Sequence, residues 1–178
     1  MTITAPDGTY SKRLLHGGPN SDSRFGFEDA RNGMAYDESS YSASDQMLRR
    51  SLTEWIVSGP ASGGEWTATR DPRVNKQIQI LLDTGGDALT KTTTFAYDAD
   101  LNRSSASEYD YQPVSQTTGQ TGAISTIAAG SLLRTSETTF LVNDANIDAT
   151  TRAAYRARDL LGLVSSARVK NAVGTIVA

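Results

Sequence analysis

One short unit recurs in this chain with its chemistry intact, and it constrains the fold more than any other feature. "YSASDQML" begins at Tyr41, "LDTGGDAL" at Leu82, "YDADLNRS" at Tyr97 and "KNAVGTIV" at Lys170. The second position is always Asp, Asn or Ser; the fifth is Gly twice, Asp once and Leu once. Asp, Asn and Ser side chains accept hydrogen bonds from nearby backbone N–H groups, and Gly, Asn and Asp tolerate positive φ. Each unit is therefore a tight-turn signal. Apolar or Thr-rich alternating runs flank most copies, and a turn between such runs predicts a β-hairpin. The chain reads as mainly β, a series of antiparallel hairpin repeats.

The spacing along the chain fills in that plan. Residues 1–33 are rich in Gly, Ser, Asp and Asn and read as an irregular N-terminal segment with one short strand near Tyr10–Leu15. Residues 34–178 form the hairpin-repeat region. Its first hairpin covers Met34–Val57, and residues 58–75 read as a Gly- and Pro-rich connector. In "KQIQILL" strict alternation sets Ile78, Ile80 and Leu82 on one face and Gln77 and Gln79 on the other. "ALTKTTTFAYD" returns as a second strand and "RSSASEYDYQPV" as a third, so 76–114 is predicted to be a three-stranded antiparallel meander. Residues 113–130, rich in Gln, Thr and Gly, read as an excursion loop.

"SLLRTSETTFLVN" is a further long strand. One short helix is predicted near residues 149–160. Asp148 is its N-cap, Gly162 follows its C-terminus, and Ala153, Ala154, Ala157, Leu160 and Leu161 form its apolar face. The chain closes on a strand–turn–strand ending in "TIVA". A free apolar strand is an aggregation liability, so the array is expected to continue beyond Ala178.

Composition removes several classes of function. The formal net charge of −3 supplies no basic stripe for nucleic acid. No apolar run reaches the ~18 residues that a membrane-spanning helix needs. The absence of cysteine removes disulfides, thiolate nucleophiles and Cys-ligated metals, and a single histidine, His16, removes a His-rich metal site.

The tyrosine–aspartate units, above all "TTTFAYDADLNRSSASEYDY", resemble the YD-repeat (Rhs) family, whose unit runs roughly Y-D-x-x-G-R-[LIV]. Tyr97 and Asp98 match the Tyr-Asp pair, and Asn102–Arg103 fall where the family often has Gly-Arg. The unit at Tyr41 matches with Ser42 for Asp and Asp45 for Gly. The unit at Leu82 matches through Asp83 and Gly86, and the unit at Lys170 through Asn171 and Gly174, without the Tyr. The resemblance covers about residues 34–178. It implies a β-strip that spirals into a hollow shell, secreted or on a bacterial surface, either enclosing a C-terminal toxin domain or serving as an adhesive scaffold. Its implied partners are adjacent repeats of a longer chain, an enclosed toxin or surface carbohydrate. It implies no enzyme activity, cofactor or metal for this segment. The family's Asp-Pro-x-Gly self-cleavage segment has only Asp71-Pro72-Arg73-Val74 here, without the Gly, so self-cleavage is not carried over.

Four constellations offer alternatives. "ILLDTGGDAL" is similar to the Asp-Thr-Gly strand–loop of retroviral-type aspartic proteases, with Asp83 as one of two carboxylates activating water. That fold's second apolar-Gly segment precedes its helix, whereas "DLLG" here follows it, so a turn is the better reading. "DADLN" spaces oxygen side chains as calcium loops do, but Arg103 replaces the required Gly and Tyr109 the terminal Glu. Glu108 and Asp110 alternate on a strand as a solvated carboxylate pair. Trp55, Trp66 and Tyr109 are candidates for a carbohydrate-binding surface, since flat aromatic rings stack on sugars. His16 reads as a loop histidine, and Arg152 and Arg156 as solvated or paired with Asp148 and Asp159.

Overall fold

In the computed structural model the described residues are 1–17, 31–58, 70–83 and 85–178. The strands are β1 (Thr2–Thr4), β2 (Tyr10–Leu15), β3 (Ala35–Tyr41), β4 (Met47–Ser58), β5 (Arg70–Leu81), β6 (Ala88–Tyr97), β7 (Arg103–Tyr109), β8 (Gln112–Val114), β9 (Leu132–Phe140) and β10 (Val164–Asn171). Two helices, α1 (Gln116–Thr121) and α2 (Ala149–Ala157), and a 3-10 turn at Leu141–Asn143 interrupt them. The strands form one ten-stranded sheet in the order β1-β2-β3-β4-β5-β6-β7-β9-β10, with β8 paired to β6. Spatial order follows chain order except at β8, as expected of a chain of hairpins. The predicted mainly-β antiparallel architecture is what the structure shows.

The sheet belongs to two compact units, residues 1–92 with 111–130 and residues 93–110 with 131–178. In unit one the predicted irregular N-terminal segment carries two strands, β1 and β2. The connector expected over 58–75 is shorter at both ends: β4 runs to Ser58 and β5 begins at Arg70, so Asp71–Val74 lie within a strand. Pro72 falls where the β4–β5 register breaks, between the pairs Ile56–Arg73 and Ser58–Arg70, an irregularity of the kind that accommodates proline in a strand.

The core of unit one is Leu52, Ile78, Ile80, Leu82, Ala88 and Ile127, with Met47, Val114 and Ile124 packed around it. The alternation of β5 drives Ile78 and Ile80 inward while Gln79 is exposed. Leu52 sits opposite Ile78 on the neighbouring strand. The 113–130 excursion is not a free loop. It holds β8 and α1, and it sends Ile127 into the core at 1% exposure. Gly119 of α1 is buried so closely that a Cβ there would lie 2.8 Å from Leu82 and 2.9 Å from Ala88. Three sheet or helix side chains fasten the excursion. Arg50 Nη1 donates to the carbonyls of Gly119 (3.3 Å) and Gly122 (2.9 Å). Lys76 Nζ donates to those of Ile124 (3.1 Å) and Ile127 (3.4 Å). Gln116 Nε2 donates to those of Leu82 (3.1 Å) and Gly86 (2.6 Å).

Unit two is built differently. β7 pairs with β6 and β9, and β9 with β10. Among its described residues Val142 is the one buried hydrophobic side chain. The helix predicted near 149–160 is α2, and Asp148 caps it as expected, accepting from Thr151 N (2.9 Å). Its end differs from expectation. Arg158 is the C-cap and Asp159 takes the left-handed turn (φ 57°), while Gly162 lies beyond. Its apolar face is not buried: no residue of α2 is, and Ala153, Ala154 and Ala157 are exposed. The helix is held by polar contacts instead.

Candidate functional site

The repeat units are the residues that sequence analysis singles out most strongly, and three of them adopt one turn. At Asp98–Asn102, Asp98 N donates to Asn102 O (2.9 Å) and Leu101 N to Asp98 O (3.0 Å), with Leu101 at φ 64°. At Asn171–Thr175 the same pair of bonds measures 2.9 and 3.0 Å, with Gly174 at φ 84°. At Ser42–Gln46 they measure 2.9 and 3.2 Å, with Asp45 at φ 65°. This is a three-residue hairpin loop, a tight turn closed by a left-handed bulge residue. The second-position side chain caps it each time. Asp98 Oδ1 accepts from Asp100 N (3.0 Å) and Asn102 N (2.9 Å). Asn171 Oδ1 accepts from Val173 N (3.2 Å) and Thr175 N (2.9 Å). Ser42 Oγ accepts from Ser44 N (3.3 Å) and Gln46 N (3.1 Å). The left-handed residue is the fifth of the unit each time, so in the unit at Tyr97 it is Leu101 and not Asn102.

The unit at Leu82 does not adopt this turn. Its left-handed residue is Gly85 (φ 72°), one position early, and Gly86 has no positive φ. Asp83 is exposed and, among the described residues, caps nothing. The fourth true copy is one that sequence analysis missed, at Ala5–Thr9. There Ala5 N donates to Thr9 O (2.8 Å) and Gly8 N to Ala5 O (3.0 Å), with Gly8 at φ 84°. Ala5 has no capping oxygen; Asp7 Oδ1 accepts from Thr9 N (3.0 Å) in its place. "PDG" at Pro6–Gly8 is the signal that would have revealed it.

Around Tyr41 the hairpins carry aromatic support. Tyr41 stacks on Tyr10 at 4.7 Å between centroids, and Lys12 Nζ lies 4.8 Å above the Tyr41 ring. Tyr10 Oη donates to Asp45, and this hydrogen bond, followed by desolvation and the Asp45 charge, pushes the phenol up to about 12. Tyr97 ends β6 opposite Arg103 at a register break.

The aspartates of the Asp98–Asn102 turn serve as anchors. Asp98 Oδ2 accepts from Asn143 Nδ2 (2.8 Å), and Asp100 from Asn143 Nδ2 (3.0 Å) and Arg156 Nη2 (3.0 Å). The Arg156 hydrogen bond is the main reason the Asp100 carboxyl lies below its ordinary range. Arg156 therefore pairs with Asp100, not Asp159, and the Arg152 guanidinium donates to Asp144 O (3.1 Å), while only its backbone N–H donates to Asp148, at the carbonyl (3.1 Å). Among the described residues no cluster of three or more His, Asp or Glu side chains could hold a metal ion. Glu108 is ion-paired across the strands with Arg134 (2.9 Å).

Of the aromatic candidates, Trp55 belongs to unit one and Tyr109 to unit two. Trp66 lies outside the described residues. Tyr109 ends β7 in unit two, half-buried opposite Leu132. Trp55 is half-buried in unit one, where its Nε1 donates to Ala35 O (2.8 Å). It lines a cleft of about 410 Å³ with His16 and Tyr36. His16, expected as a bare loop residue, packs its ring 4.9 Å from that of Tyr36. The inner wall holds Arg50 and Asp37, whose side chains are 9% and 12% exposed and pair at 2.7 Å. Comparison with family models, curated proteins and solved structures finds no match.

Proposed function

We propose that this chain is a non-enzymatic wall segment of a secreted or cell-surface YD/Rhs-repeat protein, part of an encapsulating or adhesive β-shell. One observation carries the reading: the same capped three-residue turn joins β3 to β4 at Ser42 and β6 to β7 at Asp98 in one antiparallel sheet, and recurs at Asn171, where it folds Thr175–Ala178 back along β10. Wall material needs turns that tolerate sequence drift and strands that pair on both sides; it needs no catalytic constellation. Ser, Asp and Asn perform the same capping at the second position, and Gly, Asp and Leu fill the fifth, so the turn keeps its geometry through such drift. Neighbouring repeats and an enclosed toxin domain are the partners this role implies. The test is electron microscopy of the intact gene product. A hollow particle with further hairpins joined at the outer edge of β1 and beyond the Thr175–Ala178 segment that lies along β10 is the expected result. A free-standing particle in which nothing pairs with the outer edge of β1 or continues the sheet past Thr175–Ala178 would overturn the proposal.

A further inference from the structure

The cleft beside α1 in unit one stands apart from the wall reading and does not depend on it. Its volume, about 410 Å³, lies in the range of small-molecule sites. Its lining combines rings at His16, Tyr36 and Trp55 with an apolar floor in which Leu52 is buried and Ile124 half-buried. Its charges already have protein partners. Arg50 is matched by Asp37, Glu54 accepts from Asn75 Nδ2 (2.5 Å), and Arg31 is likewise engaged. The Trp55 N–H is taken by Ala35 O. What the cleft still offers is hydroxyl chemistry: among the described residues neither Tyr36 Oη nor Thr53 Oγ1 has a hydrogen-bond partner.

An ionic ligand would find no uncompensated charge here and would leave its own charge desolvated. A purely apolar ligand would leave the hydroxyls unused. A ring with an apolar C–H face and a rim of hydroxyls satisfies both sets of groups, since aromatic side chains present an apolar body with a polar edge. The geometry points to this cleft as a binding site for a neutral pyranose ring, with Tyr36 and Trp55 as the aromatic contacts and the Tyr36 and Thr53 hydroxyls as hydrogen-bond partners. Of the carbohydrate surface expected from Trp55, Trp66 and Tyr109, this site takes Trp55 and joins to it His16 and Tyr36.

The experiment uses the full chain carrying Trp66→Phe, which leaves Trp55 as the sole indole reporter. Its fluorescence is titrated with glucose, galactose and N-acetylglucosamine separately, and with the open-chain polyol sorbitol as control. The expected result is a saturable change with at least one pyranose, at millimolar affinity, and none with sorbitol. Tyr36→Ala should weaken binding by at least about tenfold, or ~1.4 kcal/mol, without shifting the thermal melt. Should Tyr36→Ala fail to fold, Ala123→Leu, at an exposed position on the cleft wall, should block binding in its place. No saturable response to any pyranose, an equal response to sorbitol, or binding that survives the variant that folds would each overturn the assignment.

Discussion

The two units reach order by different physics. Unit one has an apolar core, with Ile78, Ile80, Ala88 and Ile127 at 0–1% exposure, and a polar excursion clamped over it. Unit two has Val142 alone in that class among its described residues, and it is tied by ion pairs and Asx turns. The Asp98–Asn143–Asp100–Arg156 cluster holds α2, Glu137 bridges Arg168 and Lys170, and Asp144 accepts from Ser165. Hydrophobic burial is insensitive to pH and modest salt, whereas partly exposed ion pairs are sensitive to both. The same hairpin turn therefore serves in two regions that fail under different conditions.

The largest effect should come from unit one. Arg50→Ala removes the partner of buried Asp37 and releases the carbonyls of Gly119 and Gly122. Breaking a buried pair from one side costs about 3–5 kcal/mol. Urea denaturation should show that loss, and limited proteolysis should cut within 115–130. Ile78→Ala should cost about 2–5 kcal/mol through its cavity, with the excursion still protected. If Arg50→Ala is nearly neutral, the clamp is not what seats the excursion.

Next comes a contrast within unit two. Asp98 and Asn171 cap the same turn, but only Asp98 also accepts from Asn143. Asp98→Ala should cost about 1.5–3 kcal/mol, as expected for hydrogen bonds to a charged group, and Asn171→Ala about 0.5–1.5 kcal/mol. Equal values would mean that the link from Asp98 to Asn143 adds nothing to the turn.

The pH response should separate the units further. Hydrogen bonds from Arg156 to Asp100, from Lys170 and Arg168 to Glu137, and from Ser165 to Asp144 hold these carboxyls below their ordinary ranges. A carboxyl with a depressed folded-state pKa contributes stability that is present above its unfolded value of about 4 and lost as pH falls through the folded value. Hydrogen exchange should therefore show α2 and the β9–β10 ladder opening as pH drops from about 5 toward 3, while the β5 core amides stay protected. Simultaneous opening of both regions would remove the distinction drawn between them.

Much of this was legible in the sequence for a physical reason: period-two alternation and turn chemistry are local. Ile78, Ile80 and Leu82 announce an inward face, and the units at Tyr41, Tyr97 and Lys170 announce their own turns. What escaped was set by tertiary contact. The Gln- and Thr-rich stretch 113–130 looks like loop because its partners, Arg50 and Lys76, lie far away in the chain. Leu82–Leu89 matches the repeat in letters, yet its left-handed residue is Gly85. The alanines of α2 have helical spacing, yet Ala153, Ala154 and Ala157 stay exposed. The cleft joins His16, Tyr36 and Trp55 from separate strands and connections, which no spacing rule gathers.

The smallest effect is the most specific test of the shared turn. Its fifth residue is left-handed in every copy, and in two copies it is not glycine: Leu101 and Asp45. A left-handed conformation costs an L-residue about 1–2 kcal/mol. Replacement by Gly removes that strain but adds about 0.5–1 kcal/mol of unfolded-state entropy. Leu101→Gly should therefore stabilise unit two by up to about 1.5 kcal/mol, the difference between those two quantities. Asp45 tolerates the left-handed conformation better than Leu101, so Asp45→Gly gains less relief and also loses the acceptor of the Tyr10 hydroxyl; its gain should be smaller or absent. A destabilised Leu101→Gly would show that the Leu101 side chain contributes packing that outweighs its strained backbone. The fifth position would then be selected for contact and not for conformation.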